Sequence, residues 1–218
     1  MLEKLKIFRR KTLRLLEMRP IHKVIRLLKQ NNYLLMDSVL EVFGYTGEYH
    51  TLDYVKYVNQ LDIWEIDSAH EIHLKNNLPR ANVKITDAYS EIRSTDKIFD
   101  TIIIDNPRGI FADEKKCEHF EIIKDCFHKL ADRSVLITHV IPDISVSKYV
   151  TPPLIISKHI EKRKLFYAHE SGISISFLHF ETIYRRIAYE NGYITKDVFF
   201  VKRNYLFTYV ILCLEKRE

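Results

Sequence analysis

Short apolar runs separated by polar stretches recur through the middle of the chain, and their lengths predict alternating strands and helices. Five runs rich in Val, Ile and Leu have the length of buried strands: 38–43, 61–66, 82–86, 99–104 and 134–139. The segments between them predict helices near 48–58, 69–77 and 113–131. Strands that alternate with helices indicate βαβ units and a mostly parallel sheet with helices on both faces.

The pattern differs at the two ends of the chain. Residues 2–18 and 21–30 predict helices, the second with Ile21, Val24, Ile25 and Leu28 on one stripe, and Pro20 is expected to interrupt the path between them. Residues 141–177 show no clear periodicity. A helix is expected over 180–191, before Gly192, followed by strands at 196–202 and 205–214. We therefore expect an α/β fold with a seven-stranded, mostly parallel sheet and a terminal antiparallel hairpin.

The charge of the chain is distributed unevenly. The 218 residues carry a formal net charge of +5. Residues 1–30 contain ten Lys and Arg but two Glu, a net charge of +8, so the rest of the chain is mildly acidic. We predict a basic N-terminal helical extension over 1–35 and one domain over 36–218. Three widely spaced Cys predict neither a disulfide framework nor a structural zinc site, and the apolar runs are too short for a transmembrane segment. These features predict a cytoplasmic protein.

Unusual residues cluster where the predicted parallel strands end, which is where open α/β sheets bind ligands. Gly44 and Gly47 follow the first strand and allow close backbone approach to a ligand. Asp67 follows the second strand as an acceptor for ribose hydroxyls, with Glu65 as the rival acid, and Asp87 follows the third as an acceptor for an exocyclic amine. These residue types suggest a pocket for a nucleoside-containing cofactor, although each also fits a turn or a helix cap.

Four segments, taken in order, resemble the class I S-adenosylmethionine-dependent methyltransferases. Val39–Gly47 (VLEVFGYTG) is similar to the motif I variant of several RNA methyltransferases, in which Phe and Tyr replace glycines. Ile66-Asp67-Ser68 resembles the ribose-binding step, and Ile85-Thr86-Asp87-Ala88 the adenine-binding step. Phe99–Arg108 resembles motif IV, which lies beside the methyl acceptor. The resemblance covers about 36–215 and implies a Rossmann-like fold.

The resemblance implies S-adenosylmethionine as the cofactor and assigns a role to each matching residue. Glu41 would orient the methionine end, with the backbone of Phe43, Gly44, Tyr45 and Gly47 around it. Asp67 and Ser68 would hold the ribose, and Asp87 and Ala88 the adenine. The transferring methyl group would be bordered by Asp105, Asn106 and Pro107. Asp105 would be catalytic, and Asn106, Pro107 and Arg108 would bind the acceptor.

The motif IV segment departs from the family pattern, because Asn106 replaces its first Pro. Related enzymes that methylate pyrimidine C5 use a Cys near this segment or at the end of the fifth strand. The fifth strand ends at Thr138-His139-Val140 with no Cys nearby, which disfavours C5 methylation and leaves O- or N-methylation. His139 becomes a candidate general base, since imidazole titrates near neutral pH. We expect a small-molecule or saccharide acceptor. The alternatives are an RNA methyltransferase and a non-catalytic, methyltransferase-like binding module.

The cations at 1–30, within the extension predicted over 1–35, lie outside the resemblance and have three interpretations. They form a solvated helix face that covers the sheet, a contact with an anionic membrane surface, or a contact with RNA phosphates. The mixture of Leu and Ile with Arg and Lys in this segment is more typical of an interfacial helix, so the protein is expected to be cytoplasmic and peripheral to the membrane.

Overall fold

The computed structural model describes Thr12 and residues 18–48, 50–104, 119–149 and 153–218. Seven helices are named here in chain order: α1 (Pro20–Gln30), α2 (Thr51–Tyr54), α3 (Glu71–Asn77), α4 (Ala88–Ser94), α5 (Ile123–Phe127), α6 (Pro153–Tyr167) and α7 (Phe177–Glu190). Seven strands form the sheet: β1 (Ser38–Val42), β2 (Gln60–Glu65), β3 (Asn82–Ile85), β4 (Phe99–Ile104), β5 (Leu130–Val140), β6 (Tyr193–Lys202) and β7 (Thr208–Lys216). Short 3₁₀ turns cover Val55–Tyr57, Ser68–His70 and Ile144–Tyr149.

The strands lie in the order β3-β2-β1-β4-β5-β7-β6, which confirms the predicted fold class. The first five strands are parallel, and β7 runs antiparallel between β5 and β6. The order reverses direction between β1 and β4. Ligands in open α/β sheets bind at such a reversal, next to the carboxyl ends of the strands.

Each face of the sheet has its own hydrophobic core, because successive strand residues point to opposite faces. Leu40 and Val42 of β1 contribute to the first core, which packs against α4, α5 and α7. Val39 contributes to the second core, which packs against α1, α2 and α3. The central strands are therefore apolar on both faces, as the nearly pure apolar run in β4 predicts.

Helix α1 is an integral part of the second core. Its predicted stripe of Ile21, Val24, Ile25 and Leu28 is at most 3% exposed. Helix α1 begins at Pro20 after an extended Arg19, so the helical path is interrupted there as predicted. Proline suits the first turn of a helix, where its missing N–H leaves no hydrogen bond unmade. Helix α1 and the sheet share one hydrophobic core. The domain boundary expected at residue 35 stays a prediction.

The helix predicted over 113–131 is wrong at its carboxyl end. In the described part of this range, residues 119–131, the one helix is α5, and Leu130 already begins β5. The apolar residues Ile122, Ile123, Cys126 and Phe127 follow a helical period, but β5 pairs with β4 from Leu130 onward. Residues 113–118, including Cys117, lie outside the described residues, as does 2–17 of the first predicted helix apart from Thr12.

Candidate functional site

The loop that follows β1 has an unusual backbone conformation. Phe43, Tyr45 and Gly47 all have positive φ, at 68°, 50° and 71°, in an alternating series. This region favours glycine, and a residue with a Cβ atom loses about 1–2 kcal/mol there. Tyr45 and Phe43 thus occupy conformations that suit glycine, which agrees with the motif I variant identified in the sequence.

The two glycines of this loop are required for packing within the protein. A Cβ atom on Gly44 would lie 2.2 Å from Cγ2 of Ile63 in β2, and one on Gly47 would lie 2.6 Å from Leu78. The Gly47 amide donates to the Gly44 carbonyl at 2.9 Å, which closes the turn. Gly44 therefore allows the loop to lie directly against β2, whatever ligand the loop binds.

The side chains of Phe43 and Tyr45 contact opposite parts of the site. The Phe43 ring is half-buried, 5.9 Å from the ring of Tyr89 and against the first core. The Tyr45 ring is 49% exposed and meets His70 edge-on at 4.3 Å. Tyr45 thus presents an aromatic surface at the ends of β1 and β2.

Glu41 points into the second core rather than toward solvent. It is 2% exposed and accepts hydrogen bonds from Thr51 Oγ1 at 2.9 Å and from the Tyr54 hydroxyl. Both donors belong to α2, so this carboxylate fixes α2 to β1. Its role at the methionine end of a cofactor stays a prediction.

Two further polar contacts hold α2 in place, one made by Asp53 and one by His50, the residue before the helix. Arg19, just before α1, forms a 2.8 Å ion pair with the fully buried Asp53 carboxylate. His50 Nδ1 lies 2.9 Å from the Tyr209 hydroxyl, and its Nε2 contacts Arg203 from the β6–β7 turn. A helix of four residues is thereby tied to β1, β7 and the start of α1. These anchors could not be identified from the sequence, because their partners are distant along the chain.

Glu65, the rival acid in the sequence, is the carboxylate that the structure places against the loop after β1. It is the last residue of β2 and is 8% exposed. Its Oε2 accepts the Tyr45 N–H at 2.6 Å, and its Oε1 accepts the Asp67 N–H at 2.9 Å. A carboxylate has about four acceptor positions, so Glu65 retains capacity for hydroxyl donors.

Asp67 and Ser68 lie farther out than Glu65. The Asp67 side chain is 56% exposed, accepts the Ala69 N–H at 2.9 Å and lies 3.7 Å from His70 Nε2. This geometry is that of a helix N-cap, with Ser68 as the exposed first residue of the turn that it caps. The structure thus gives Asp67 a structural role, and its assignment to the ribose stays a prediction.

Asp87 is also an N-cap. It accepts the Tyr89 N–H at 3.2 Å and the Ser90 hydroxyl at 2.9 Å at the start of α4. Ala88, the first residue of α4, is buried in the first core. Asp87 lies at the carboxyl end of β3, on the same edge of the sheet as Glu65, because β2 and β3 are parallel.

Of the two predicted catalytic residues, His139 is among the described residues and Asp105 is not. His139 lies near the end of β5, is 3% exposed and packs edge-on against Phe207 at 5.2 Å. The ring is therefore covered by the β6–β7 turn, and its role as a base stays a prediction. Asp105, Asn106, Pro107 and Arg108 lie outside the described residues.

An apolar cluster occupies the same edge of the sheet beyond β5. It consists of Ile141, Ile144, Leu206 and Phe207, from the segment after β5 and the β6–β7 turn. Phe177, the first residue of α7, is 47% exposed, and its ring lies 4.9 Å from the ring of Phe200 on β6. His179 Nε2 lies 2.6 Å from the Tyr167 carbonyl oxygen, and the rings of His169 and His179 are 5.0 Å apart.

Several solved structures with the same fold are described as methyltransferases. Magnesium protoporphyrin IX methyltransferase from Synechocystis PCC 6803 with bound S-adenosylmethionine is 12% identical, with a TM-score of 0.55 over 98% of this chain and 82% of that one. A putative caffeoyl-CoA O-methyltransferase from Staphylococcus aureus is 14% identical, with a TM-score of 0.52 over 87% and 80%. A putative RNA methyltransferase from Pyrococcus horikoshii is 14% identical, with a TM-score of 0.50 over 90% and 81%.

No protein-family model and no curated protein matches the sequence. Within the described ranges, no helix is long and apolar enough to cross a membrane. The sheet order with its antiparallel β6–β7 hairpin and the shared architecture with these neighbours lead to one conclusion. The chain has the Rossmann-like fold of the class I S-adenosylmethionine-dependent methyltransferases.

Proposed function

We propose that the protein transfers a methyl group from S-adenosylmethionine to a hydroxyl or amine of a small-molecule or saccharide acceptor. The observation that carries the cofactor proposal is the contact between the Glu65 carboxylate and the Tyr45 amide, which joins the end of β2 to the loop after β1. A buried acid with free acceptor capacity is suited to the paired hydroxyls of a ribose.

Other residues at this edge fit the rest of a nucleoside. The exposed Tyr45 ring offers a stacking surface, and Ile66, 58% exposed, follows Glu65 directly. Asp87 follows β3, the strand next to β2 on the side away from β1. The resemblance assigns the end of β2 to the ribose and the end of β3 to the adenine. We propose Glu65, rather than Asp67, as the principal ribose acceptor, with Asp87 and Ala88 on the adenine side.

The reacting methyl group is supplied by the sulfonium centre of the bound cofactor. The protein's contribution would be to align the acceptor for in-line displacement and to accept the acceptor's proton. Asp105 and His139 are the proposed groups for the acceptor side, with Asn106, Pro107 and Arg108 as its binding residues. Glu41 would act through α2, because its carboxylate is bonded to Thr51 and Tyr54.

The apolar cluster supports the proposed acceptor class. The buried residues Phe207, Leu206, Ile141 and Ile144 pack together at the carboxyl end of β5, on the same edge of the sheet as the proposed cofactor site, and Phe177 on α7 is exposed. Apolar and aromatic side chains are typical of pockets for small molecules and for the apolar faces of sugars. The RNA alternative is favoured by the motif I variant at Phe43–Gly47 and by the Asp-Asn-Pro-Arg sequence at 105–108.

Calorimetry with S-adenosylmethionine tests the cofactor proposal. We expect the wild-type protein to bind, Glu65→Gln to weaken the affinity about tenfold or more, and Asp67→Asn to change it less than about threefold. Asn preserves an N-cap, so the second variant is the matched control. Absence of wild-type binding would contradict the cofactor, whereas a larger effect at Asp67 would return the ribose role to that residue.

Transfer of labelled methyl groups tests the acceptor. Label from the cofactor is expected in a small-molecule or saccharide fraction and to decrease with His139→Ala. Label in RNA would support the alternative acceptor. Cofactor binding without transfer to any fraction would support a non-catalytic module.

A further inference from the structure

Helix α1 displays a line of three cations to solvent. Lys23, Arg26 and Lys29 are all exposed and follow one another at three-residue spacing, about 4.5 Å apart along the helix axis. Among the described residues none of the three forms an ion pair, and α1 contains no acidic residue. We call Lys23, Arg26 and Lys29 the basic ridge.

The basic ridge is held rigidly by the fold. The opposite side of α1 is buried in the second core, where Val24 and Leu28 are 0% exposed. The helix is also fixed at both ends: Arg19 pairs with Asp53, and the carbonyl of Asn32 accepts a hydrogen bond from Arg133. The cations therefore point outward from a fixed surface, and the apolar stripe of α1 is not available to insert into another phase.

The sequence before the basic ridge combines cations with apolar residues, whereas the apolar residues of α1 are buried in the second core. Residues 1–17 contain six Lys and Arg and seven Leu, Ile and Phe, a composition typical of basic amphipathic segments at membrane surfaces. Met18, at the junction with α1, is 65% exposed. A polyelectrolyte arm that binds RNA phosphates needs no such apolar content, so the combination favours a lipid surface.

We propose that the basic ridge docks the protein on an anionic phospholipid bilayer, with its three cations at the headgroup layer. Each basic side chain near such a surface contributes a roughly fivefold increase in partition coefficient, so the three together contribute on the order of 100-fold. The attraction is screened by salt within about 10 Å at 0.1 M ionic strength. This docking is independent of the proposed methyl transfer.

Co-sedimentation with phosphatidylglycerol vesicles tests the proposal with the full-length protein. The wild type is expected to bind these vesicles, to bind phosphatidylcholine vesicles much more weakly, and to be released as salt is raised. The triple variant Lys23→Glu, Arg26→Glu and Lys29→Glu reverses all three charges and is expected to lose binding by more than about 100-fold. Its matched control is Arg80→Glu, Lys124→Glu and Lys202→Glu, which changes the net charge equally at scattered exposed positions and is expected to retain most of the binding.

The milder triple substitution of the ridge to Gln guards against loss of folding and is expected to weaken binding about tenfold or more, with an unchanged circular dichroism spectrum. Equal losses in the ridge and control variants would overturn the proposal, as would no loss in the ridge variants. Failure of the wild type to bind phosphatidylglycerol vesicles would also overturn it. Tighter binding to an RNA oligonucleotide than to vesicles, lost in the same ridge variants, would assign the surface to RNA instead.

Discussion

The two halves of the candidate cofactor site are built in different ways. On the side of α2, Glu41, Thr51, Asp53 and Tyr54 are buried and bonded to one another or to distant segments. On the side of β2 and β3, the acids lie at strand ends, and their partners are mostly backbone amides within a few residues. The first half is closed and fixed by long-range contacts, whereas the second is open and locally determined.

This difference shows that the role of an acidic residue in a motif depends on its hydrogen-bond partners in the folded protein. Glu41 is a structural anchor for α2, and Asp67 and Asp87 cap the turns that follow them. Glu65 is the acid among these four that bonds across the site, since its carboxylate accepts the Tyr45 amide. The comparison therefore predicts large losses of stability on the closed side and small ones on the open side.

The largest effect is expected from Glu41→Ala. The substitution removes the acceptor of both the Thr51 and Tyr54 hydroxyls in a buried site, and hydrogen bonds to charged groups contribute about 1.5–3 kcal/mol each. We expect the free energy of unfolding to fall by about 3 kcal/mol, measured by urea denaturation. The exposed Glu170→Ala serves as control, within about 0.5 kcal/mol of wild type. A loss below about 1 kcal/mol for Glu41→Ala would mean that α2 is held by other contacts.

An intermediate effect is expected from Gly44→Ala, at the junction of the two halves. The added methyl group would lie 2.2 Å from Ile63 Cγ2, and overpacking of this kind costs about 1–3 kcal/mol. Gly192→Ala is the useful comparison, because no atom lies within 4 Å of its added Cβ and only its φ of 89° opposes the change. Thermal denaturation of the two variants separates steric from conformational cost, and equal stability of Gly44→Ala and wild type would contradict the close packing.

The smallest effect is expected on the open side. Asp67→Ala and Asp87→Ala each remove an N-cap and should lower the free energy of unfolding by about 1 kcal/mol. The corresponding Asn variants keep the cap and should be near wild type. Chemical denaturation of the four variants is the measurement. A loss above about 3 kcal/mol at either position would remove the contrast between the halves.

The fold could be predicted from the sequence because its strands are local patterns. The apolar runs of β1, β2 and β4 lie within a residue or so of their predicted bounds, and the hairpin of β6 and β7 was expected at the end of the chain. Helix α6 and the 3₁₀ turn Ile144–Tyr149 were not identified in 141–177. In α6 the apolar residues do not form one stripe, so helical periodicity is absent from that segment.

The site could be predicted only in outline. The strand ends that carry Gly44, Asp67 and Asp87 lie on one edge of the sheet, as expected for parallel strands. The choice of Glu65 over Asp67 depends on the hydrogen bond to Tyr45, twenty residues away, and no local pattern reports such a bond. The anchoring of α2 by Arg19 and Tyr209 depends on tertiary structure in the same way.

A crystal structure with S-adenosylhomocysteine is the most direct test of the proposed cofactor site. We predict that the ribose hydroxyls lie within hydrogen-bond distance of the Glu65 carboxylate, about 2.6–3.0 Å, with the nucleoside beside the Tyr45 ring. A ligand held by Asp67 with Glu65 unengaged, or no ligand at the ends of β1 and β2 at saturating concentration, would contradict the account.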